Sequence, residues 1–156
     1  MKSERVCGGC TACCKTHPVL SIDKPISKWC KDCIIGKGCG IYEKRPSECA
    51  DFKCQWLFGN YEGKDRPDHT KIVIDSYILD TIDEKVIALY EVSEGALGRP
   101  FAQNITTSIT RQDNILVLHI HLGAKRAVLY LPPNRILTKE QKRKLAEDSF
   151  EVINNI

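Results

Sequence analysis

The segment Cys7–Cys14 reads CGGCTACC and holds four of the nine cysteines of this 156-residue chain. The remaining five all precede residue 55, at Cys30, Cys33, Cys39, Cys49 and Cys54. Between residues 6 and 54 the chain reads as loops punctuated by glycine and cysteine, with little helical or strand periodicity. Something other than apolar burial must therefore hold this segment together, and metal coordination can do so.

The spacing of the cysteines favours a soft metal. They form three groups with the patterns C-x2-C-x2-C-C, C-x2-C-x5-C and C-x4-C. A C-x2-C loop is short enough for both sulfurs to lie about 2.3 Å from one ion, and Gly8-Gly9 allows the backbone angles that this requires. Thiolates select zinc, copper(I) or iron–sulfur clusters over magnesium and calcium. We therefore predict that these cysteines bind such a metal.

Composition and charge narrow the class of protein. The chain is 42% hydrophobic and 28% charged, which excludes disordered and collagen-like classes. Its net charge of +3 is small for non-specific nucleic-acid binding, so no nucleic-acid partner is expected. The sequence shows neither the apolar run of a secretory signal nor a membrane span. We expect a cytoplasmic protein without a membrane partner, in a compartment where clustered cysteines serve as metal ligands rather than as disulfides.

Counting ligands leaves two arrangements open. Eight thiolates would complete two sites of four, with the ninth cysteine to spare. Alternatively, Cys7, Cys10 and Cys13 match the first three positions of a ferredoxin-type run, with His17 in the fourth. Cys14, next to Cys13, then belongs to a second site or donates a hydrogen bond near the first.

The segment from Pro46 to Leu57 has helical spacing and is predicted as a short helix. In that helix Cys49 and Cys54 would lie about 140° apart around the axis. They could share an ion only if the helix ended before Cys54.

The rest of the chain predicts an α+β fold. Residues 71–80 and 85–92 form one predicted antiparallel hairpin, and residues 115–122 and 125–131 form another. Ala102, Ile105 and Ile109 have helical spacing between the hairpins. A capping box at Thr138 and Gln141 starts a helix that is predicted to continue to the C-terminus. We expect a small antiparallel sheet of two hairpins, with both helices on one face.

The predicted organisation has three parts. Residues 1–58 form a metal-organised cysteine module, residues 59–70 a connector, and residues 71–156 a small α+β body packed against the module.

The cysteine pattern resembles that of a known family, the CxxCxxCC or YkgJ-like proteins, which are described as bacterial zinc- or iron-chelating domains. The resemblance rests on CGGCTACC at residues 7–14, GCGIYEKRPSEC at residues 38–49 and FKC at residues 52–54. It covers about the first 58 residues and implies metal binding without supplying a reaction. A similar pattern occurs in flagellin lysine N-methylases, where it is identified with an iron–sulfur site.

The resemblance implies a set of eight metal ligands: Cys7, Cys10, Cys13, Cys14, Cys33, Cys39, Cys49 and Cys54. Cys30 is an additional cysteine and, like His17, a further candidate ligand. Arg45 lies within the cysteine array, where its guanidinium could donate hydrogen bonds to thiolates and offset their charge.

Two further histidines, His119 and His121, alternate on a predicted strand and share one face. Paired histidines can bind a metal, but Leu116, Leu118 and Ile120 already supply a core face. We therefore expect both histidines on the solvent side of the strand.

These observations predict a metal-binding protein whose N-terminal cysteines hold zinc or an iron–sulfur cluster. Two alternatives stay open: an iron–sulfur-dependent enzyme, such as one for methyl transfer, and a protein for metal storage or delivery. No catalytic residue and no protein partner can be named from the sequence. A non-enzymatic role is favoured because no phosphate loop, nucleophile elbow or HExxH motif is present.

Overall fold

The computed structural model describes residues 5–154 and confirms the α+β class. The helices are α1 Ala12–Thr16, α2 Ser47–Asp51, α3 Pro67–Thr70, α4 Pro100–Gln112 and α5 Lys139–Glu147. The strands are β1 Cys33–Ile34, β2 Gly38–Cys39, β3 Ile72–Leu79, β4 Glu84–Glu91, β5 Leu116–Ile120, β6 Ala127–Leu131 and β7 Phe150–Asn154. No helix within this part of the chain is long and apolar enough to cross a membrane.

The main sheet has five strands in the order β3-β4-β5-β6-β7, and both predicted hairpins are confirmed within it. The prediction of a purely antiparallel sheet was wrong, because β4 pairs with β5 and β6 pairs with β7 in parallel. Each parallel pair is joined by a connection that contains a helix, as parallel neighbours require. The predicted helices α4 and α5 therefore act as crossovers, which makes the sheet mixed.

The C-terminal helix is shorter than predicted. Its capping box is present, with the Thr138 hydroxyl accepting a hydrogen bond from the Gln141 amide at 3.1 Å. The helix ends at Glu147, and Ser149 adopts a φ of 64°, which turns the chain back toward the sheet. Residues 150–154 then form β7 beside β6 instead of continuing the helix.

Strand β7 lies at one edge of the sheet, opposite the edge formed by β3. Glu151 of β7 forms an ion pair with Arg126 at 2.6 Å. The neighbouring side chains of Val152 and Ile153 are partly exposed.

Both faces of the sheet are covered, so the prediction of helices on one face was wrong. On one face Ala102 and Ile109 of α4 pack against Leu89 and Val117. The opposite face carries a second core that includes Leu118. Side chains that alternate along each strand are thus buried on both sides. The N-terminal segment takes part in this second core, since Ala12 of α1 and Leu145 of α5 both belong to it.

The cysteine segment contains only short elements. The predicted helix over residues 46–57 is reduced to α2, and Phe52 is extended, with φ −74° and ψ 131°. Cys49 therefore lies on α2 while Cys54 lies beyond its end, which meets the condition for their sharing an ion. A two-stranded antiparallel sheet pairs Cys33 of β1 with Cys39 of β2.

His119 is buried, which corrects its expected solvent position. The core face of β5 was identified correctly, but α4 covers the opposite face, where His119 is only 1% exposed. Its Nε2 lies 2.7 Å from the Thr106 hydroxyl, which itself donates to the Ala102 carbonyl. His121 follows β5, half-buried, with its Nδ1 4.0 Å from a Glu91 carboxylate oxygen. Neither histidine is placed among the cysteines.

We predict that His119 makes the fold sensitive to acid. Burial lowers the pKa of His119 to about 4 from its usual 6.5, so the unfolded chain binds this proton more tightly than the folded one. Stability should fall as the pH drops from 6.5 toward 4, by about 3 kcal/mol for the whole shift. Urea unfolding at several pH values measures this loss. The variant His119→Gln keeps an N–H donor toward Thr106 but has no group that titrates in this range. Its free energy of unfolding should therefore fall less between pH 6.5 and pH 4 than that of the wild type. An equal fall in both proteins would contradict the role given to His119.

Candidate metal centre

Eight of the nine cysteines line a single cavity of about 760 Å³, which we call the thiol cavity. They come from the 7–14 loop and α1, from the 30–33 loop, from β1 and β2, and from α2: Cys7, Cys10, Cys13, Cys14, Cys30, Cys33, Cys39 and Cys49. Cys54 is not part of the cavity wall and packs against the core beneath β3 and β4 with Cys10 and Cys13. All nine carry free thiols.

Backbone hydrogen bonds hold the cysteine loops in place. The amide of Cys10 donates to the Cys7 carbonyl at 2.8 Å, closing the first C-x2-C turn. In the same way the amide of Cys33 donates to the Cys30 carbonyl at 3.1 Å. The Cys30 amide also donates to the carbonyl of Cys14 at 3.1 Å, which fixes the second loop on α1. The second C-x2-C loop is therefore attached to α1, which directly follows the first loop, through a backbone hydrogen bond.

The close approach of the first loop to the β1–β2 hairpin explains why Gly9 is needed. A Cβ at Gly9 would lie 2.8 Å from the carbonyl oxygen of Gly36 in the hairpin turn. The Gly36 amide donates to the hydroxyl of Thr11 at 3.1 Å across the same contact. A side chain at position 9 would push the hairpin away from the loop.

Six of the thiols are shifted toward their protonated forms. Partial burial raises the pKa values of Cys7, Cys10, Cys49 and Cys54. Burial, with the neighbouring Cys14, raises the pKa of Cys33 to about 12. For Cys14 the largest cause of the raised pKa is a hydrogen bond with the Cys13 side chain. A metal ion would have to displace these protons to bind.

The cysteine side chains lie close together, but they do not form a closed ligand set, that is, a set arranged around one common point. Among residues 5–154, no three His, Cys, Asp or Glu side chains are arranged around a point where a metal ion would fit. What the cavity offers is a donor type suited to zinc and to iron–sulfur clusters, at high local density. Each cysteine has a single side-chain torsion with three staggered states, so sulfur positions can change by rotation about that bond.

Lys24 is a residue of this region that the sequence did not single out. It is buried, and its ammonium donates hydrogen bonds to the carbonyls of Lys15, at 2.8 Å, and of His17. Burial lowers the pKa of Lys24, while Cys14 and Cys30 act in the opposite direction. An isolated lysine in a loop has no periodicity that could mark it, so only the folded chain shows a cation beside the thiols.

Arg45 lies on the cavity wall, and its hydrogen bonding to thiolates stays a prediction. Its guanidinium stacks 3.8 Å from the ring centre of Tyr42, and its Nε donates to the Tyr42 carbonyl at 3.0 Å. Its positive charge also lowers the pKa of Cys7, although burial of that thiol has the larger effect. Arg45 therefore packs against an aromatic ring while acting on a nearby thiol.

His17 also borders the cavity, but both of its ring nitrogens contact other groups. Its Nδ1 lies 2.8 Å from the Thr16 hydroxyl and its Nε2 lies 3.3 Å from Asp75. The ring packs between Phe52 and Tyr90, with centroids 4.4 and 4.2 Å away. Its role as a ligand stays a prediction, and it requires one of these polar contacts to break.

A second basic residue near the first cysteine loop, Arg66, was also missed from the sequence. Its guanidinium forms two hydrogen bonds with Asp68, at 2.6 and 2.7 Å. A Cβ at Gly8 would lie 3.4 Å from this guanidinium. Arg66 thus covers the Cys7–Cys10 turn from outside the segment that contains the cysteines.

Comparison with known proteins adds no identity to these observations. No protein-family model matches the chain, and neither the curated proteins nor the solved structures include a match to it. The likeness to the YkgJ-like cysteine pattern therefore stays a prediction from the motif. The function has to be argued from the thiol cavity and the residues around it.

Proposed function

We propose that this protein binds a soft metal, as zinc or as an iron–sulfur cluster, through the cysteines of the thiol cavity. The observation that carries the proposal is the convergence of eight cysteines, from separate loops, helices and strands, on one cavity. Burial of small apolar side chains does not by itself explain such clustering or the repeated C-x2-C spacing. A bound metal would supply the cohesion that the short elements of this segment lack.

The charges around the cavity support the same proposal. Four thiolates around a divalent ion carry a net negative charge, which is costly to bury without a compensating cation. Lys24 lies beside Cys14 and Cys30, and Arg45 lies beside Cys7. Binding requires rotation of the cysteine side chains into a closed set, because within residues 5–154 they do not surround a common point.

The direct test is the composition of protein purified without oxygen. We expect either about one or two zinc ions per chain without acid-labile sulfide, or iron with matching sulfide and absorption near 400 nm. Metal analysis and a visible spectrum distinguish these outcomes. Protein that contains no metal, and that takes up neither zinc nor iron with sulfide after reduction, would overturn the proposal.

Removing the metal should loosen the cysteine segment selectively. That segment contains only short helices and strands and exposes large apolar side chains such as Leu20, which is 81% exposed. After treatment with a chelator we expect faster proteolysis within residues 6–54, while fragments spanning β3 to β6 stay protected. Mass spectrometry of the cleavage products locates the sites. Unchanged cleavage of residues 6–54 after verified metal loss would contradict a structural role for the metal.

Replacing Lys24 should weaken metal binding. In Lys24→Met the buried positive charge beside the thiols is lost, so the zinc affinity is expected to fall by about tenfold. Competition with a chromophoric chelator measures this affinity. Lys28→Met is the matched control, since it makes the same charge change at an exposed position and should alter the affinity by less than about twofold. Equal affinities for both variants, each with native circular dichroism, would show that Lys24 does not offset thiolate charge.

A further inference from the structure

The nine thiols divide into two neighbouring groups. The core-side thiols, Cys7, Cys10, Cys13 and Cys54, lie where the first loop meets the sheet. The hairpin-side thiols, Cys14, Cys30, Cys33, Cys39 and Cys49, surround the small β1–β2 sheet and α2.

The core-side thiols are related through the core and the first C-x2-C turn. Cys10, Cys13 and Cys54 pack against the same apolar cluster beneath the main sheet. Cys7 is linked to Cys10 by the 2.8 Å backbone hydrogen bond of the turn. Cys54 is near enough to Cys7 and Cys10 for each to raise its pKa, in addition to the larger effect of burial. This group therefore combines three sulfurs of the 7–14 segment with that of Cys54, which is distant in sequence.

The hairpin-side thiols are related through different contacts. Cys33 and Cys39 are direct partners across the small sheet, and the amide of Cys33 bonds to the Cys30 carbonyl. The side chain of Cys14 is hydrogen-bonded to that of Cys33, and its carbonyl accepts from the Cys30 amide. Cys14, Cys30 and Cys39 each raise the pKa of Cys49, in addition to the larger effect of burial.

Helix α1 separates the two groups. Cys13 and Cys14 are consecutive in this helix, and consecutive side chains point about 100° apart around the axis. Cys13 packs against the core of the sheet, whereas Cys14 contacts Cys33 of the hairpin. Their thiols touch, so the groups are adjacent, but the helix presents one sulfur to each.

Positive charge lies beside both groups. Burial raises the pKa of Cys7, a core-side thiol, and the charges of Arg45 and Arg66 oppose that effect. Lys24 lowers the pKa of the hairpin-side Cys14, against larger effects of Cys13 and burial. The pKa of Lys24 itself is raised by Cys14, Cys30 and Cys49 and also by the core-side Cys13, against the larger effect of burial.

We propose that the protein holds two metal ions, one bound by the core-side thiols and one by the hairpin-side thiols. The first site uses all four core-side sulfurs. The second has five sulfurs for four tetrahedral positions, so one hairpin-side cysteine is not a ligand. This inference rests on the proposed function, because it divides the thiols of the cavity, together with the adjacent Cys54, between two ions.

Cobalt(II) is the probe for this division, because thiolate-to-cobalt charge-transfer absorption reports on sulfur ligands. Reduced, metal-free protein is titrated with cobalt(II) without oxygen. The wild type is expected to bind two ions. Cys54→Ser should lose one ion with half of the charge-transfer intensity. The pair Cys33→Ser and Cys39→Ser, which leaves only three hairpin-side sulfurs, should lose the other ion, and all three substitutions together should remove both.

Cys54 packs against the core, so its substitution could disturb folding for a reason unrelated to metal. Cys7→Ser serves as a second core-side variant, since Cys7 is exposed and has no place in that core. It should lose the same ion as Cys54→Ser, and combining Cys7→Ser with Cys54→Ser should remove no further ion.

The outcomes separate the two proposals. A wild type that binds no cobalt or zinc overturns the proposed function itself. A wild type that binds a single ion leaves metal binding in place and overturns the division. The division is also overturned if Cys7→Ser, or the pair Cys33→Ser and Cys39→Ser, loses both ions together while its circular dichroism spectrum stays native.

Discussion

The packing of α1 against β3 is the contact on which the arrangement of the cysteine segment depends. Ala12 is 3% exposed within the core of the main sheet, and the cysteines at positions 10 and 13 flank it. A residue larger than alanine at this point would hold α1 away from the sheet. Because the 30–33 loop bonds to the Cys14 carbonyl, the second set of cysteines is positioned through α1 as well. Apolar packing at one small residue thus locates most of the thiols.

The sequence predicted the elements of the main sheet better than their arrangement. Apolar runs, rich in β-branched residues in the first hairpin, on either side of a short turn marked both hairpins, because that pattern is local. The parallel pairing of β4 with β5 depends on a crossover through α4, and no local pattern reports it. The burial of His119 was missed for the same reason. The strand pattern alone does not show that another element, here α4, covers the second face of β5.

For the candidate site, cysteine spacing indicated which residues to consider but not how they group. Eight of the nine predicted cysteines line one cavity, whereas Cys54 lies behind it against the core. The positive charges of Lys24 and Arg66 lie near the thiols. Lys24 lies in a loop and Arg66 lies outside the cysteine segment, so the spacing of the cysteines does not indicate either residue. The end of α2 before Cys54 could not be predicted either, because tertiary contacts override the helical spacing of residues 46–57.

Strand β7 also lowers the tendency of two copies of this protein to pair through the edges of their sheets. A strand at the edge of a sheet offers unpaired backbone groups that can template pairing with another molecule. The edge formed by β7 is five residues long and carries the charge of Glu151, both of which discourage such pairing. Without β7, the equally long but more apolar strand β6, with Leu129 and Leu131 buried in the core, would itself become the edge. Because the chain turns at Ser149, its last described residues form an edge strand instead of about two further helical turns. Pairing of this edge with the sheet of another molecule is thereby less favourable.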